Sequence, residues 1–439
     1  MSHDYVQALR HSVPSDVLDL CRRLRESGHR AWVVGGCVRD HVLDVLRDRG
    51  AGAESVRNDW DVATDAHPDQ VTQLFRRVIP TGIKHGTVTV LLGDVGYEVT
   101  TLRGETTYSD GRRPDSVYFV DDIVADLARR DFTINAMAYD PLEDQLIDPF
   151  DGIDDLERGV LRAVGDPAAR FAEDGLRVLR AARFVATLEV EIEHETARAI
   201  EPSLASYAKV SPERIREEWV KSMKARAPSR AFSVMKDHGM LAISAPEMLE
   251  SVDCEQNRFH AFDVWGHAMA CLDACPENAV LRMAGLLHDI GKPRSRAFSD
   301  KTRDYTFYDH ERIGAEMVEP LLARLRFSND ERARIVGLVR HHLICYDESW
   351  SDAAVRRWIK RVSPELLDDL YALNRADVLG KGRDASDDLE RLGQLQARVK
   401  VLMAQGTAMS VRDLDVDGNV LMKELGRSPG RWLGDVLAA

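Results

Sequence analysis

The sequence predicts an α+β protein: a small mixed α/β head, then an all-helical neck, a larger helical body and a short helical tail. Three observations carry this. At 439 residues the chain exceeds one ordinary hydrophobic core. β-like runs concentrate before about residue 150. After that point helical periodicity takes over, in 168–186, 191–207, 211–226 and most of 256–403.

Element by element, Ser15 is placed to cap a helix whose inner face is Val17, Leu20, Cys21 and Leu24, and Gly28 ends it. Ala31–Val34 is a short apolar strand, broken by Gly35-Gly36 before a helix carrying Val38, Val42 and Leu43. Further strands are expected at Trp60–Thr64, Thr87–Leu92 and Tyr97–Leu102. Pro68 sits at the first turn of a helix with Val71, Leu74 and Phe75. Breaks near 227–228, 276 and 291–293 read as joints, not linkers. The resulting division is head 1–150, neck 151–235, body 236–385 and tail 386–439.

Composition excludes several classes. Hydrophobic residues at 44% and charged residues at 30% are globular values. No apolar run reaches the ~18–20 residues that span a bilayer, and the N-terminus lacks signal-peptide order, so a cytoplasmic protein without a membrane partner is expected. The six cysteines form no dense framework, and Cys271-x-x-x-Cys275 lacks a second ligand pair, so buried or free thiols are expected. A net charge of −14 argues against indiscriminate nucleic-acid binding. Local basic faces remain: Lys209, Arg214, Arg216, Lys221, Lys224, Arg226 and Arg230 in one stretch, and Arg356, Arg357, Lys360 and Arg361 in another.

Asp59-Trp60-Asp61 opens a β-like run. Residues two apart on a strand share a face, so the two carboxylates converge while Trp60 and Val62 face a core. Such a pair suits Mg²⁺ with substrate phosphates. Taken alone, an Asp-x-Asp is more often chance on a solvated strand. The strand, Gly35-Gly36 turn and helix start upstream change this, because bare N–H groups and a helix N-terminus attract phosphate, with Arg39 on the first turn.

In this setting the sequence resembles the class II CCA-adding tRNA nucleotidyltransferases and the related bacterial poly(A) polymerases. The resemblance runs through Val34-Gly35-Gly36-Cys37-Val38-Arg39-Asp40, the Asp59/Asp61 pair, Gly82–Val88, Tyr97–Thr101, Asp110–Pro114, Arg129–Ala136, Asp148–Gly152 and Arg170–Phe184. It covers roughly the first 225 residues. It implies Mg²⁺ on Asp59 and Asp61, incoming CTP or ATP held by Gly36, Arg39 and Arg130, and the base selected by Asp174 and Arg177 with Arg180 and Arg183 helping. On a continuous helix Asp174 and Arg177 would be neighbours and present an acceptor and a forked donor together. Arg183 lies off that face, so Arg180 and Arg183 are expected to meet phosphates or hold the helix. Arg214 and Glu218 match a family helix that props the nucleotide-reading one. Glu98 could be a third acid near the metals, and Tyr108–Pro114 a mobile loop. Residues 41–58 look like an insertion, and the basic signature expected of poly(A) polymerases is absent at Thr81–Thr87, which favours tRNA.

Further on, His267, His288-Asp289, His310, His341-His342 and Asp377 resemble the HD superfamily of metal-dependent phosphohydrolases. The resemblance implies a divalent metal of unidentified kind on His267, His288, Asp289 and Asp377, completed by His310 and His341 or His342. Leu425–Gly430 resembles the family's tRNA-gripping tail, or is a plain turn, and the chain stops at Ala439 where another helix or two would be expected. The reading is CCA addition to tRNA from CTP and ATP, with a hydrolytic second site. The rivals are a CC-only or A-only enzyme, a poly(A) polymerase, an RNA-repair phosphohydrolase with a non-catalytic head, and a non-catalytic RNA-binding protein. No protein partner is identified.

Overall fold

The computed structural model describes residues 2–47, 60–83, 86–105, 117–405, 418–428, 430 and 432. Asp59, most of the 41–58 insertion, the 108–114 loop and the acidic run 413–417 lie outside them. The chain divides into two compact units, Met1–Pro246 and Glu247–Ala439.

The first unit is built on a mixed sheet. Its strands are β1 (Ala31–Val34), β2 (Asp61–Thr64), β3 (Val78–Gly82), β4 (Thr87–Leu92) and β5 (Val95–Thr101); β6 (Arg103–Glu105) and β7 (Val117–Phe119) form a separate hairpin, and β8 (Ala138–Asp140) and β9 (Gln145–Ile147) complete the main sheet. The seven-stranded order is β3-β4-β5-β2-β1-β8-β9. Only the central β2–β5 pair is parallel; every other neighbour in this sheet runs antiparallel. All four residues of β1 are buried, as expected of an apolar strand covered on both faces. One face carries a core of Trp32, Val34, Ala63, Leu102, Ile123, Leu127, Ala136, Ala138 and Val164.

The expected strands at β1, β2, β4 and β5 are present, whereas β3, β6, β7, β8 and β9 had no alternation long enough to be read. The Ser15 expectation needs correction. Pro14 is the cap residue of helix Ser15–Glu26 and no side chain caps it. The C-terminal signal holds: Gly28 adopts φ 87°, and its N–H and that of His29 close onto the Arg25 and Leu24 carbonyls.

The neck is more broken than its periodicity suggests. Residues 168–186 form two helices, Pro167–Glu173 and Leu176–Leu188, because Asp174 is extended at φ −143°, ψ 107°. Gly175 permits this crossing: a Cβ there would lie 2.3 Å from the Ser206 backbone. Residues 191–207 are likewise short pieces, and Glu191–Ile192 pairs in parallel with Val160–Leu161. Helix Pro212–Ser222 starts at the expected Ser-Pro-Glu.

The second unit packs helices Val264–Ala274, Ala279–Leu287, His310–Arg324, Asn329–His341 and Leu367–Gly380 around one interior, with a small hairpin of Ala297–Ser299 and Asp304–Thr306. Cys271 and Cys275 are buried thiols in this packing, close to Gly285, where a Cβ would lie 2.7 Å from the Cys275 sulfur. They belong to none of the metal-capable groups among the described residues. The 425–430 segment begins as a turn: Gly426 takes φ 58° and Arg427 N–H closes on the Met422 carbonyl.

Candidate active sites

The first site forms where β1 ends. Val34 stands opposite Asp61 in the antiparallel register, and the chain then turns at Gly35, φ 82°, into helix Gly36–Leu46. A Cβ on Gly35 would lie 3.0 Å from Arg130 Nη1 and 3.9 Å from Asp61 Oδ2. The glycine turn, an arginine and a carboxylate therefore share one small space, and only glycine tolerates both its φ and its neighbours. Trp60 is buried against His41, ring centroids 5.1 Å apart, which anchors the entry to β2. Val62 pairs with Val99 across the parallel β2–β5 ladder, so Asp61 and Glu98, one step back on each strand, lie on the same sheet face.

The run Arg129–Ala136 ties the arginines together. Arg39 Nη1 donates to Asn135 Oδ1 at 2.6 Å, and Arg130 Nη1 donates to the Asn135 carbonyl at 3.4 Å. Asn135 Nδ2 donates to Asp131 at 3.0 Å, and Asp131 accepts from Arg180 at 2.7 Å. Burial alone would raise the Asp131 pKa, but Arg180, Asn135 and Arg177 outweigh it and hold the carboxyl well below its ordinary range. Arg130 keeps one buried nitrogen, Nε, without a hydrogen-bond partner.

The motif by itself gives Phe184 no role, and the structure supplies one. The guanidinium carbons of Arg183, Arg39 and Arg180 lie 3.9, 5.2 and 5.3 Å from its ring centre. Phe132 packs edge-on against the same ring at 5.7 Å. Three of the arginines expected at the nucleotide site thus share one aromatic support. Phe184→Leu keeps similar bulk and removes the π face. We expect it to raise KM for nucleotide several-fold with little change in Tm, measured by steady-state addition and thermal melts, and Phe184→Tyr to restore binding.

Asp174 and Arg177 do not form a shared edge on one helix. Asp174 lies in the break, accepts from Leu176 N–H at 2.9 Å and is gripped by both Arg214 terminal nitrogens at 3.1 and 2.6 Å. Arg177 begins the next helix and donates to Glu173 at 2.6 Å and to the Arg170 and Arg129 carbonyls. Arg183 pairs with Glu218. Arg214 therefore contacts Asp174 and Glu218 contacts Arg183, while Arg180 pairs with Asp131. Glu173 was the missed partner; its position four residues before Arg177 was the available signal.

The second site gathers residues from several helices. His267 lies in Val264–Ala274, whose start is capped by Asp263 accepting from Gly266 N–H at 2.7 Å. His288 and Asp289 follow Ala279–Leu287, His310 opens its helix, His342 follows Asn329–His341 and Asp377 comes from Leu367–Gly380. His267 Nε2 is 3.3 Å from Asp289 and 3.0 Å from Asp377. His288 Nε2 is 3.1 Å from Asp289. His310 and His342 reach the other Asp289 oxygen at 3.4 and 3.6 Å. His341 stays outside, half-buried, so His342 fills the position left open between the two. His260 and Lys292 were missed. His260 makes a metal-capable group with His267 and Asp289, and Lys292 sits 2.5 Å from Asp289.

The ring tautomers fit a metal. Nδ1 of His288, His310 and His342 lies 2.8, 2.6 and 2.7 Å from the carbonyls of Gly285, Phe307 and Val339. A carbonyl only accepts, so each Nδ1 carries the proton, and in the neutral ring Nε2 turns a lone pair inward. Nε2 of His288 lies 3.1 Å from that of His267, and the Nε2 lone pairs of His310 and His342 face each other 3.3 Å apart. Facing lone pairs at that separation repel unless a cation lies among them. Burial pushes His260 and His342 down to about 3, keeping them neutral. Asp289 is held well below the carboxylate range, since His288 and Lys292 outweigh its burial.

Gly291 sets the closeness of the second site. A Cβ there would lie 2.2 Å from the His310 carbonyl and 2.6 Å from Gly314 N. Backbone cannot yield as a side-chain tip does, so Gly291→Ala should displace His310. We expect a loss of about 1–3 kcal/mol in stability and reduced metal content, read by denaturant unfolding and elemental analysis.

Fold and geometry together define a nucleotidyltransferase-type head joined to a histidine- and aspartate-lined helical domain. Residues 31–162 match the family model of the poly A polymerase head domain, 189–251 that of the "Probable RNA and SrmB- binding site of polymerase A", and 259–379 the HD domain. The chain thus carries matches to a poly A polymerase head domain and, after it, to an HD domain. It is 45% identical over 223 residues to the CCA-adding enzyme of Lactobacillus johnsonii, covering 51% of this chain and 53% of that protein. It is 46% identical over 220 residues to that of Lactobacillus helveticus, covering 50% and 52%. The chain spans about half the length of the curated relatives it matches. The solved Bacillus stearothermophilus CCA-adding enzyme in complex with CTP superposes with a TM-score of 0.67 at 26% identity, covering 96% of this chain and 90% of that one. The Thermotoga maritima CCA-adding enzyme complexed with tRNA shares the fold, with a TM-score of 0.58 at 18% identity over 98% and 92%. Among the described residues, no helix is long and apolar enough to cross a membrane.

Proposed function

We propose that this protein adds CMP and AMP from CTP and ATP to the 3′ end of tRNA without a template, and that its HD domain hydrolyses phosphoesters. The observation that carries the first part is the meeting of the Gly35-Gly36 turn, Asp61 and Arg130 at the end of β1. The similarity to CCA-adding enzymes over the same residues supports it. The cytoplasm is the proposed setting, in keeping with six unpaired thiols.

In this reading Asp61 and Asp59 hold Mg²⁺, which when bound supplies positive charge to the attacking 3′-hydroxyl and the departing pyrophosphate. Gly36 offers bare backbone to the triphosphate, and Arg39 and Arg130 neutralise it from fixed positions on Asn135. The RNA 3′-oxygen bonds to the α-phosphorus, the bond to the β-phosphate oxygen breaks, and pyrophosphate leaves. Asp174 and Arg177 select the base by exchanging Arg214 and Glu173 for its edge. Arg180 and Arg183 hold the helix through Asp131 and Glu218. At the second site His267, His288, Asp289 and Asp377 hold a divalent metal.

Incubation with tRNA transcripts ending before CCA, after C and after CC, with CTP and ATP supplied separately, tests the proposal. Completion of all three ends supports it. Only C or only A added would mean a partial enzyme, and long A tails on unrelated RNA would sink the tRNA assignment.

A further inference from the structure

The His/Asp cluster forms part of the lining of a cavity of about 350 Å³, in the range of ligand sites. Other parts of the lining have different chemistry. Phe259, Tyr305, Phe307 and Tyr308 line the same cavity, with Arg258 and Lys381. Phe259 is 60% exposed and Tyr308 81%. Folding does not account for large rings left in water beside this cavity, since their contribution to a core comes from burial. Their place in the chain is informative. Phe259 directly precedes His260, and Tyr308 stands two residues before His310. Each ring is therefore tethered beside a histidine of the cluster. Arg258 lies 5.4 Å from the Phe259 ring centre and Arg296 3.8 Å from that of Tyr305.

A phosphate-processing cluster beside flat, uncharged rings and cations suits a nucleotide, whose base offers a π face whatever its identity. We propose that the aromatic rim, chiefly Phe259 and Tyr308, stacks the base of a terminal nucleotide while its phosphoester is presented to the His/Asp cluster. The substrate class is then a nucleoside phosphate or the phosphorylated 3′ end of an RNA, not a small phosphoester lacking a base. This rests on the phosphohydrolase reading above. In the step itself, water oxygen bonds to phosphorus, the P–O bond to the ribose breaks, and a water proton passes to the ribose oxygen.

The test compares adenosine 3′-monophosphate, a 3′-phosphorylated RNA trimer and glycerol phosphate as substrates of the full, metal-loaded chain. A preference of about 5- to 100-fold in kcat/KM for the two base-bearing compounds is expected. The double variant Phe259→Ala/Tyr308→Ala should lose that preference while hydrolysing glycerol phosphate unchanged. Tyr308→Phe should retain it. A separate readout uses Phe259→Trp, whose fluorescence should be quenched by adenosine 3′-monophosphate but not by ribose phosphate. Equal rates on all three wild-type substrates, or an equal loss on all three in the double variant, overturns the proposal. Preference for the trimer over the mononucleotide places the natural ligand on RNA; the reverse places it among free nucleotides. Failure to hydrolyse any ester with any divalent metal defeats the phosphohydrolase reading instead, and an unquenched signal from the Phe259→Trp variant would then defeat the rim as well.

Discussion

Replacing Asp61 with alanine is expected to lower nucleotide addition by at least about 1000-fold, equivalent to roughly 4 kcal/mol of transition-state stabilisation. The reason is positional. Asp61 is aligned opposite Val34 by the β1–β2 register, beside Gly35 and Arg130, and no other acid in the described part of β2 faces that space. Asp61→Asn keeps the shape and removes the charge, so it should fail nearly as badly, with Tm within about 2 °C of the parent. Phosphate release at the HD cluster should be untouched. An Asp61→Ala protein that still extends tRNA at a tenth of the parent rate would remove the carboxylate from the reaction.

His288→Ala should do the reverse. His288 meets His267 at 3.1 Å and Asp289 at 3.1 Å with its proton committed to Gly285, so its loss removes a donor from the centre of the cluster. Altering outer partners of a metal ligand already costs about 10–100-fold in affinity, and losing a ligand should exceed that. We expect phosphoester hydrolysis to vanish and metal content to fall below stoichiometric by elemental analysis, with tRNA extension within about twofold of the parent. Retained metal with lost hydrolysis would make His288 a participant in proton transfer instead. Circular dichroism on His288→Ala and on the bulkier His288→Gln guards against a simple folding defect.

How much of this was legible depended on chain distance. Strand β1, the Gly28 stop and the Pro68 helix were readable because each is encoded within a few residues. The HD cluster was readable because His-Asp is adjacent in the chain, except for His260 and Lys292 and for the choice left open between His341 and His342. That choice is decided by which of two neighbours faces inward after a helix has ended. The break at Asp174 was invisible, because a helical pattern of apolar residues continues across it. What opposes it is tertiary: Gly175 against the Ser206 backbone and Arg214 on the Asp174 carboxylate. The short strands β8 and β9 escaped for a similar reason, three residues being too few to show alternation. Asp131, Asn135 and Phe184 were visible as motif letters, but their joint work on the arginines is a property of space alone.

His288, His310 and His342 each bond Nδ1 to a carbonyl three residues earlier. The three rings are thus aimed by their own preceding stretches of chain, independently of one another. Their directions are set by local geometry before any ion arrives, so little side-chain freedom remains to be lost on loading. Such a cluster should hold its shape when stripped, reload quickly, and tolerate exchange of one divalent ion for another better than a site whose ligands are ordered by the ion itself.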